Sequence, residues 1–143
     1  MNKRIIIQKL PEAINQIDFV HKLYFNIDFE QKKKVEKSLN NKINGYKSQD
    51  KRKNNICLLI TKEELIEKLL VSKLKCHYCM QTMLLLYSIN KDPRQWTLDR
   101  IDNKKGHSKE NTVIACLQCN LKRRTLDDKK FLFTKQMKLI KKK

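Results

Sequence analysis

The chain has 143 residues, of which 40% are hydrophobic, 7% aromatic and 34% charged, which is the size of one domain, or of one compact domain plus an extension, with a modest core. Lys and Arg number 33 against 15 Asp and Glu, a formal charge of +18, and such a surplus points to nucleic acid or an anionic membrane as partner. The longest apolar cluster, at 83–87, is far too short for a membrane span, which leaves nucleic acid as the expected partner.

Pro11 and Glu12 interrupt the opening stretch before a secretory apolar core can form, so an intracellular, reducing compartment is expected. Abundant Lys, Asn and Ile with only 2 Gly resembles the bias of an AT-rich genome. Ile14, Ile17, Val20 and Leu23 give a weak helical face after a start at Pro11. Asp28 is placed to cap a second helix with a thin apolar stripe of Phe29, Val35, Leu39 and Ile43, and Gly45 to stop it. Residues 46–55 carry no apolar side chain except Tyr46 and read as an exposed connector. The domain boundary is therefore expected there, with 1–55 a basic, mostly helical extension and linker and 56–143 the second unit. Lys47, Lys51, Arg52 and Lys53 are candidates for phosphate contacts and Tyr46 for stacking; an ordinary polar linker is the alternative.

After a short apolar run at 56–60, Thr61 and Glu64 fit a capping box that opens a helix with Leu65, Ile66, Leu69 and Leu70 on one face, ending near Leu74. Cys57 has no partner at metal spacing and reads as a buried, inert thiol. Residues 83–88 are predicted to form a strand, 90–93 a turn, and 96–101 the second strand of a hairpin. A polar loop follows at 103–111, and 112–115 return the chain to a short helix at 117–124. Thr125 and Asp128 can cap a last helix carrying Phe131, Phe133, Met137 and Ile140.

The chemistry-bearing signal is a pair of C-x-x-C motifs, Cys76/Cys79 and Cys116/Cys119, with 36 residues between them. Four thiolates in that pattern close a tetrahedral zinc site, and with every ligand supplied by the protein the ion is structural. His77, inside the first motif, is then expected to contact the zinc surroundings or a phosphate, because the tetrahedron is already full. Asp99 and Asn120, both tied to the zinc, present oxygen ligands of the kind that suit Mg²⁺ or Mn²⁺, ions that can clamp a scissile phosphate.

The order C-x-x-C, Leu98-Asp99-Arg100-Ile101-Asp102, Gly106, Asn111, then C-x-x-C followed by Asn120 resembles the zinc-knuckle branch of the HNH nucleases. It looks closest to HNH-like proteins of large DNA viruses, and its core is similar to the recombination endonuclease VII family. The resemblance covers about residues 75–125. It implies an α+β chain: a small ββα-metal core with two zinc knuckles, preceded by the helical basic extension. It further implies a metal-dependent endonuclease acting on duplex or branched DNA, with structural Zn²⁺ and catalytic Mg²⁺ or Mn²⁺. On this resemblance Asp99 and Asn120 bind the catalytic metal and Asn111 fixes the loop.

Where the family has its water-activating histidine, this sequence has Arg100, and an always-protonated guanidinium is a poor base. Either His107 swings in from the loop as the base, or Asp102 orients the water while Arg100 steadies the phosphate. Lys122, Arg123 and Arg124 form a basic triplet, and residues 122–143 hold ten Lys or Arg against two Asp, a phosphate-facing surface. Trp96 is expected to pack under the hairpin. Two other classes remain open: a DNA-binding protein of the same fold without cleavage, and a zinc-ribbon-like interaction module. Paired cuts would favour a homodimer built through the N-terminal helices.

Overall fold

A computed structural model describes residues 15–54, 58–124 and 126–142. Its architecture is α+β: helices α1 (Ile17–Tyr24), α2 (Lys32–Arg52) and α3 (Lys62–Val71), strands β1 (Trp96–Arg100) and β2 (Thr112–Cys116), then α4 (Leu117–Arg123) and α5 (Asp128–Lys142). One buried cluster runs through the chain, joining Val20 of α1, Val35 and Leu39 of α2, and Leu65 and Leu69 of α3 to Trp96, Leu98 and Ile114 of the strands. Among the described residues no helix is long and apolar enough to cross a membrane. The readings made for Pro11, Ile14, Cys57 and Thr125 lie outside the described residues.

Helix α2 differs most from expectation. Gln31, not Asp28, stands at its N-cap, without a side-chain cap bond. Gly45 does not stop it, and the connector foreseen at 46–55 is helical to Arg52. The physical reason is a stripe that continues past the glycine: Val35, Leu39, Ile43, Tyr46 and Asp50 recur at helical spacing and all face the rest of the chain. Gly45 costs a helix about 1 kcal/mol relative to Ala, which burial of that stripe offsets. Helix α3 begins with the expected capping box: Glu64 N donates to Thr61 Oγ1 at 3.1 Å, and Thr61 N to Glu64 Oε1 at 2.9 Å. It ends at Val71, earlier than Leu74.

Residues 83–88 do not form a hairpin strand. Met83, Leu84, Leu85 and Leu86 are all buried, so no alternation separates two faces. The backbone of this run is satisfied piecemeal, since Leu85 N and Leu86 N donate to Gln16 Oε1 while Gln16 Nε2 donates to Leu86 O. The hairpin is instead β1 with β2, antiparallel, in the register Trp96 to Cys116 through Arg100 to Thr112. Helix α4 follows β2 directly. In α5 Phe131 is buried edge-on to Tyr78, with centroids 5.0 Å apart; contrary to the expected stripe, Phe133 and Met137 are exposed.

Candidate functional site

Two turns present the cysteines. In the first, Cys76 N donates to Gln81 O at 2.9 Å and Met80 N to Cys76 O at 3.0 Å, while His77 N donates to Ile114 O at 2.8 Å and ties the turn to β2. In the second, Cys116 ends β2 and caps α4, its Sγ accepting from Cys119 N at 3.5 Å. Their four Sγ atoms lie within 4.8 Å of one another, with Cys79 and Cys116 at 3.9 Å. A tetrahedron with Zn–S bonds of about 2.3 Å has edges of about 3.8 Å, so the cluster could bind a metal ion such as zinc. Hydrogen bonds from Cys116, Cys119 and Cys79 hold Cys76 well below the ordinary thiol range, whereas Cys116 and Cys76 push Cys119 above it. Four thiols this close cannot all ionise alone, and a bound dication removes that conflict.

The first knuckle also reaches the strands. Tyr78 Oη donates to Asp99 Oδ2 at 2.6 Å, and Arg123 Nη1 donates to the same oxygen at 2.7 Å. Arg123 spends its other donors on Arg100 O, Ile101 O at 2.8 Å and Leu126 O at 2.9 Å. The pair is buried, with side chains 2% and 5% exposed. Arg123 is therefore not a phosphate contact, as its sequence position suggested: it is turned inward because Asp99 and three carbonyls need its fork. Its neighbours Lys122 and Arg124 are exposed.

A cleft of about 630 Å³ opens between α2, β1 and α4. Asp99 and Arg100 line it from β1, Asn103 and His107 from the loop, and Asn120 from α4, with Arg124 just beyond. Lys42 lines it from α2 and Lys53 from that helix's C-cap, so that three cations, Lys53, Arg100 and Arg124, stand with Asp99 among the lining residues. Burial brings Lys42 down to about 7, and its Nζ lies 4.7 Å from the centroid of the Trp96 ring and donates to Gln95 Oε1 at 2.8 Å. Trp96 itself is fully buried. Asn120 has a set orientation: Thr97 Oγ1 donates to Ala115 O at 2.7 Å and accepts from Asn120 Nδ2 at 3.0 Å. With its Nδ2 engaged on β1, Asn120 keeps its amide oxygen as an acceptor, and the residue lines the cleft.

His107 is buried and held by partners on α2 rather than exposed on its loop. It is 3% exposed, its ring stacked on Tyr46 with centroids 4.4 Å apart, and its Nδ1 lies 2.7 Å from Asp50 Oδ1. His107 N donates to the other carboxylate oxygen, Asp50 Oδ2, at 2.8 Å. Burial lowers the imidazole's proton affinity and outweighs the opposing pull of Asp50. Tyr46 is itself anchored, its Oη accepting from Leu98 N at 3.0 Å.

Asn111 folds the loop, donating to Asp102 O at 3.0 Å and Gly106 O at 2.9 Å and accepting from Asp102 N at 2.9 Å. Asp102 does not line the cleft: its Oδ1 accepts from Lys104 N at 2.9 Å, an exposed turn that occupies the carboxylate there. Lys47, Lys51 and Arg52 are exposed on the last turns of α2. His77 is exposed at the first knuckle, away from this cleft.

The four cysteines that the sequence paired meet in one cluster, and Asp99 and Asn120 both line the cleft; Asp50 was assigned no part from the sequence. The signal was the stripe of α2, in which Asp50 sits four residues after Tyr46. Comparison with family models, with curated proteins and with solved structures finds no match for this chain.

Proposed function

We propose that this chain is a zinc-stapled, divalent-metal-dependent endonuclease of the HNH type that hydrolyses DNA phosphodiester bonds. The observation that carries the reading is convergence: Asp99, Asn120 and His107 line one cationic cleft, on a hairpin followed directly by a helix and bracketed by the cysteine pairs. Asp99 Oδ1 takes no hydrogen bond among the described residues, and with Asn120 Oδ1 it makes a hard-oxygen donor set that fits Mg²⁺ or Mn²⁺. Such an ion, when bound, would stabilise charge on the leaving oxygen. His107 Nε2 would take the proton of the attacking water, which Arg100 cannot do. Arg100, Arg124 and Lys53 would hold the flanking phosphates, as charge-assisted donors do.

The test is nicking of supercoiled and of branched DNA by the purified, zinc-loaded chain with Mg²⁺ or Mn²⁺. Cleavage should fall at least about 100-fold in His107→Gln and in Asn120→Ala. Asp99 is a poor probe, because its removal also strips Arg123 and Tyr78 of their partner.

The same ion pair favours a second reading, a DNA-binding protein without cleavage. Asp99 already has one oxygen engaged by Arg123 and Tyr78, as in a purely structural staple. Tight binding that weakens steeply with salt, with no nicking under either metal, would select it.

A further inference from the structure

The basic helical extension supplies a partner to the cleft residue His107 that the resemblance does not account for. Asp50 lies on α2, 57 residues from His107 in sequence, and both of its oxygens engage that residue: Oδ1 the ring nitrogen Nδ1 at 2.7 Å, Oδ2 the backbone N–H at 2.8 Å. Both side chains are buried, 7% and 3% exposed. We propose that Asp50 is a positioning residue that locks His107 in the Nδ1–H tautomer, leaving Nε2 as the ring nitrogen with the free lone pair; the catalytic consequence rests on the nuclease reading above.

The geometry leaves little choice of tautomer. A carboxylate only accepts, so a ring nitrogen at 2.7 Å from it must carry the proton. Tyr46 stacks on one face of the imidazole and holds the plane of the ring, and a flip within that plane would cost the Nδ1 bond to Asp50. Besides Asp50, the charged groups acting on the ring are Arg100 from β1 and Lys53 at the end of α2, both of which oppose its protonation. A ring of fixed tautomer lining a cationic cleft, with Nε2 free of a proton, is the state that a general base requires before reaction. The arrangement therefore makes α2 part of the site as well as a source of surface charge. Sequence distance gives no hint of it, because the contact depends on α2 crossing the loop of the hairpin.

Substitution of Asp50 by Asn discriminates this role from plain packing. The His107 backbone N–H can only donate, so it claims the amide oxygen, and the amide NH₂ is turned toward Nδ1. The ring must then accept at Nδ1 and carry its proton on Nε2, which is the wrong tautomer for a base. The experiment is side-chain ¹⁵N NMR of the histidine rings in the full-length, zinc-loaded protein, with His107→Gln used to assign the signal, followed by plasmid nicking with Mg²⁺ and Mn²⁺. The parent should show a neutral Nδ1–H ring for His107, and Asp50→Asn a neutral Nε2–H ring. The kcat of nicking should fall at least about 100-fold with KM little changed, and Asp50→Glu should recover part of it. An Nε2–H ring in the parent overturns the proposal even if Asp50→Asn does not fold. So does an unchanged tautomer, or an unchanged kcat, in a folded Asp50→Asn protein. If the parent itself does not nick DNA, the nuclease reading fails separately, and the ring signals still decide what Asp50 does to His107.

Discussion

Replacing Arg123 by Met should destabilise the fold sharply. In the native chain the guanidinium bonds Asp99 Oδ2 at 2.7 Å, Ile101 O at 2.8 Å, Leu126 O at 2.9 Å and Arg100 O. Without it, a carboxylate 5% exposed keeps only the Tyr78 hydroxyl, and three carbonyls lose a donor. Breaking a buried pair from one side costs about 3–5 kcal/mol, a large part of a stability of about 5–15 kcal/mol. Urea unfolding of the zinc-loaded protein, followed by circular dichroism, should show the midpoint falling by about 2 M at a slope near 2 kcal/mol/M. The double variant Asp99→Asn/Arg123→Met should regain part of the loss, because both charges leave together. An Arg123→Met protein within about 0.5 kcal/mol of the parent, but with a shallower salt dependence of DNA binding, would refute the internal role and restore Arg123 to the surface.

Three further outcomes are expected. Chelation of zinc, or Cys119→Ser, should unfold the chain cooperatively as read by circular dichroism, with recovery on adding Zn²⁺ after chelation, since a structural zinc contributes on the order of 10 kcal/mol and the core is modest. Gly45→Ala should stabilise by up to about 1 kcal/mol in the same urea assay, because Gly45 is helical, does not have positive φ, and a Cβ there meets nothing within 4 Å; a loss of stability would mean that α2 does not run through it. Burial depresses the His107 pKa in the folded chain, so the unfolded chain binds the proton first as pH falls below about 6.5. Stability at saturating zinc should therefore drop on acidification through that window, by at most about 1.4 kcal/mol per pH unit, and His107→Gln should flatten the slope.

The elements that the sequence announced were those fixed by local rules. The capping box at Thr61 and Glu64 formed because its two bonds span only three residues. The cysteine pairs met because C-x-x-C spacing makes a turn that presents both thiols on one side. The readings that failed were those where a distant partner overrode a local signal. Gly45 is a stop signal by propensity, yet α2 continues because Tyr46 and Asp50 have a hairpin loop to pack on. Residues 83–88 look like a strand by composition, yet the side chain of Gln16, 69 residues from Leu85, takes the place of a ladder.

By itself the sequence determined the basic charge, the zinc-compatible cysteine quartet, the presence of Asp99 and Asn120 between and beside the knuckles, and Arg100 where a base was expected. Only the tertiary structure decided which charges are free to act. Arg123 and Arg124 are adjacent in sequence, but Arg123 turns inward to Asp99 while Arg124 reaches the cleft. His107 and Asp50 are ordinary polar residues in sequence, 57 positions apart, and become a buried pair only when α2 lies against the loop. The physical reason is common to both cases: whether a charged group is solvated, paired or poised depends on what surrounds it in space, and chain order carries that information only over the few residues of a turn.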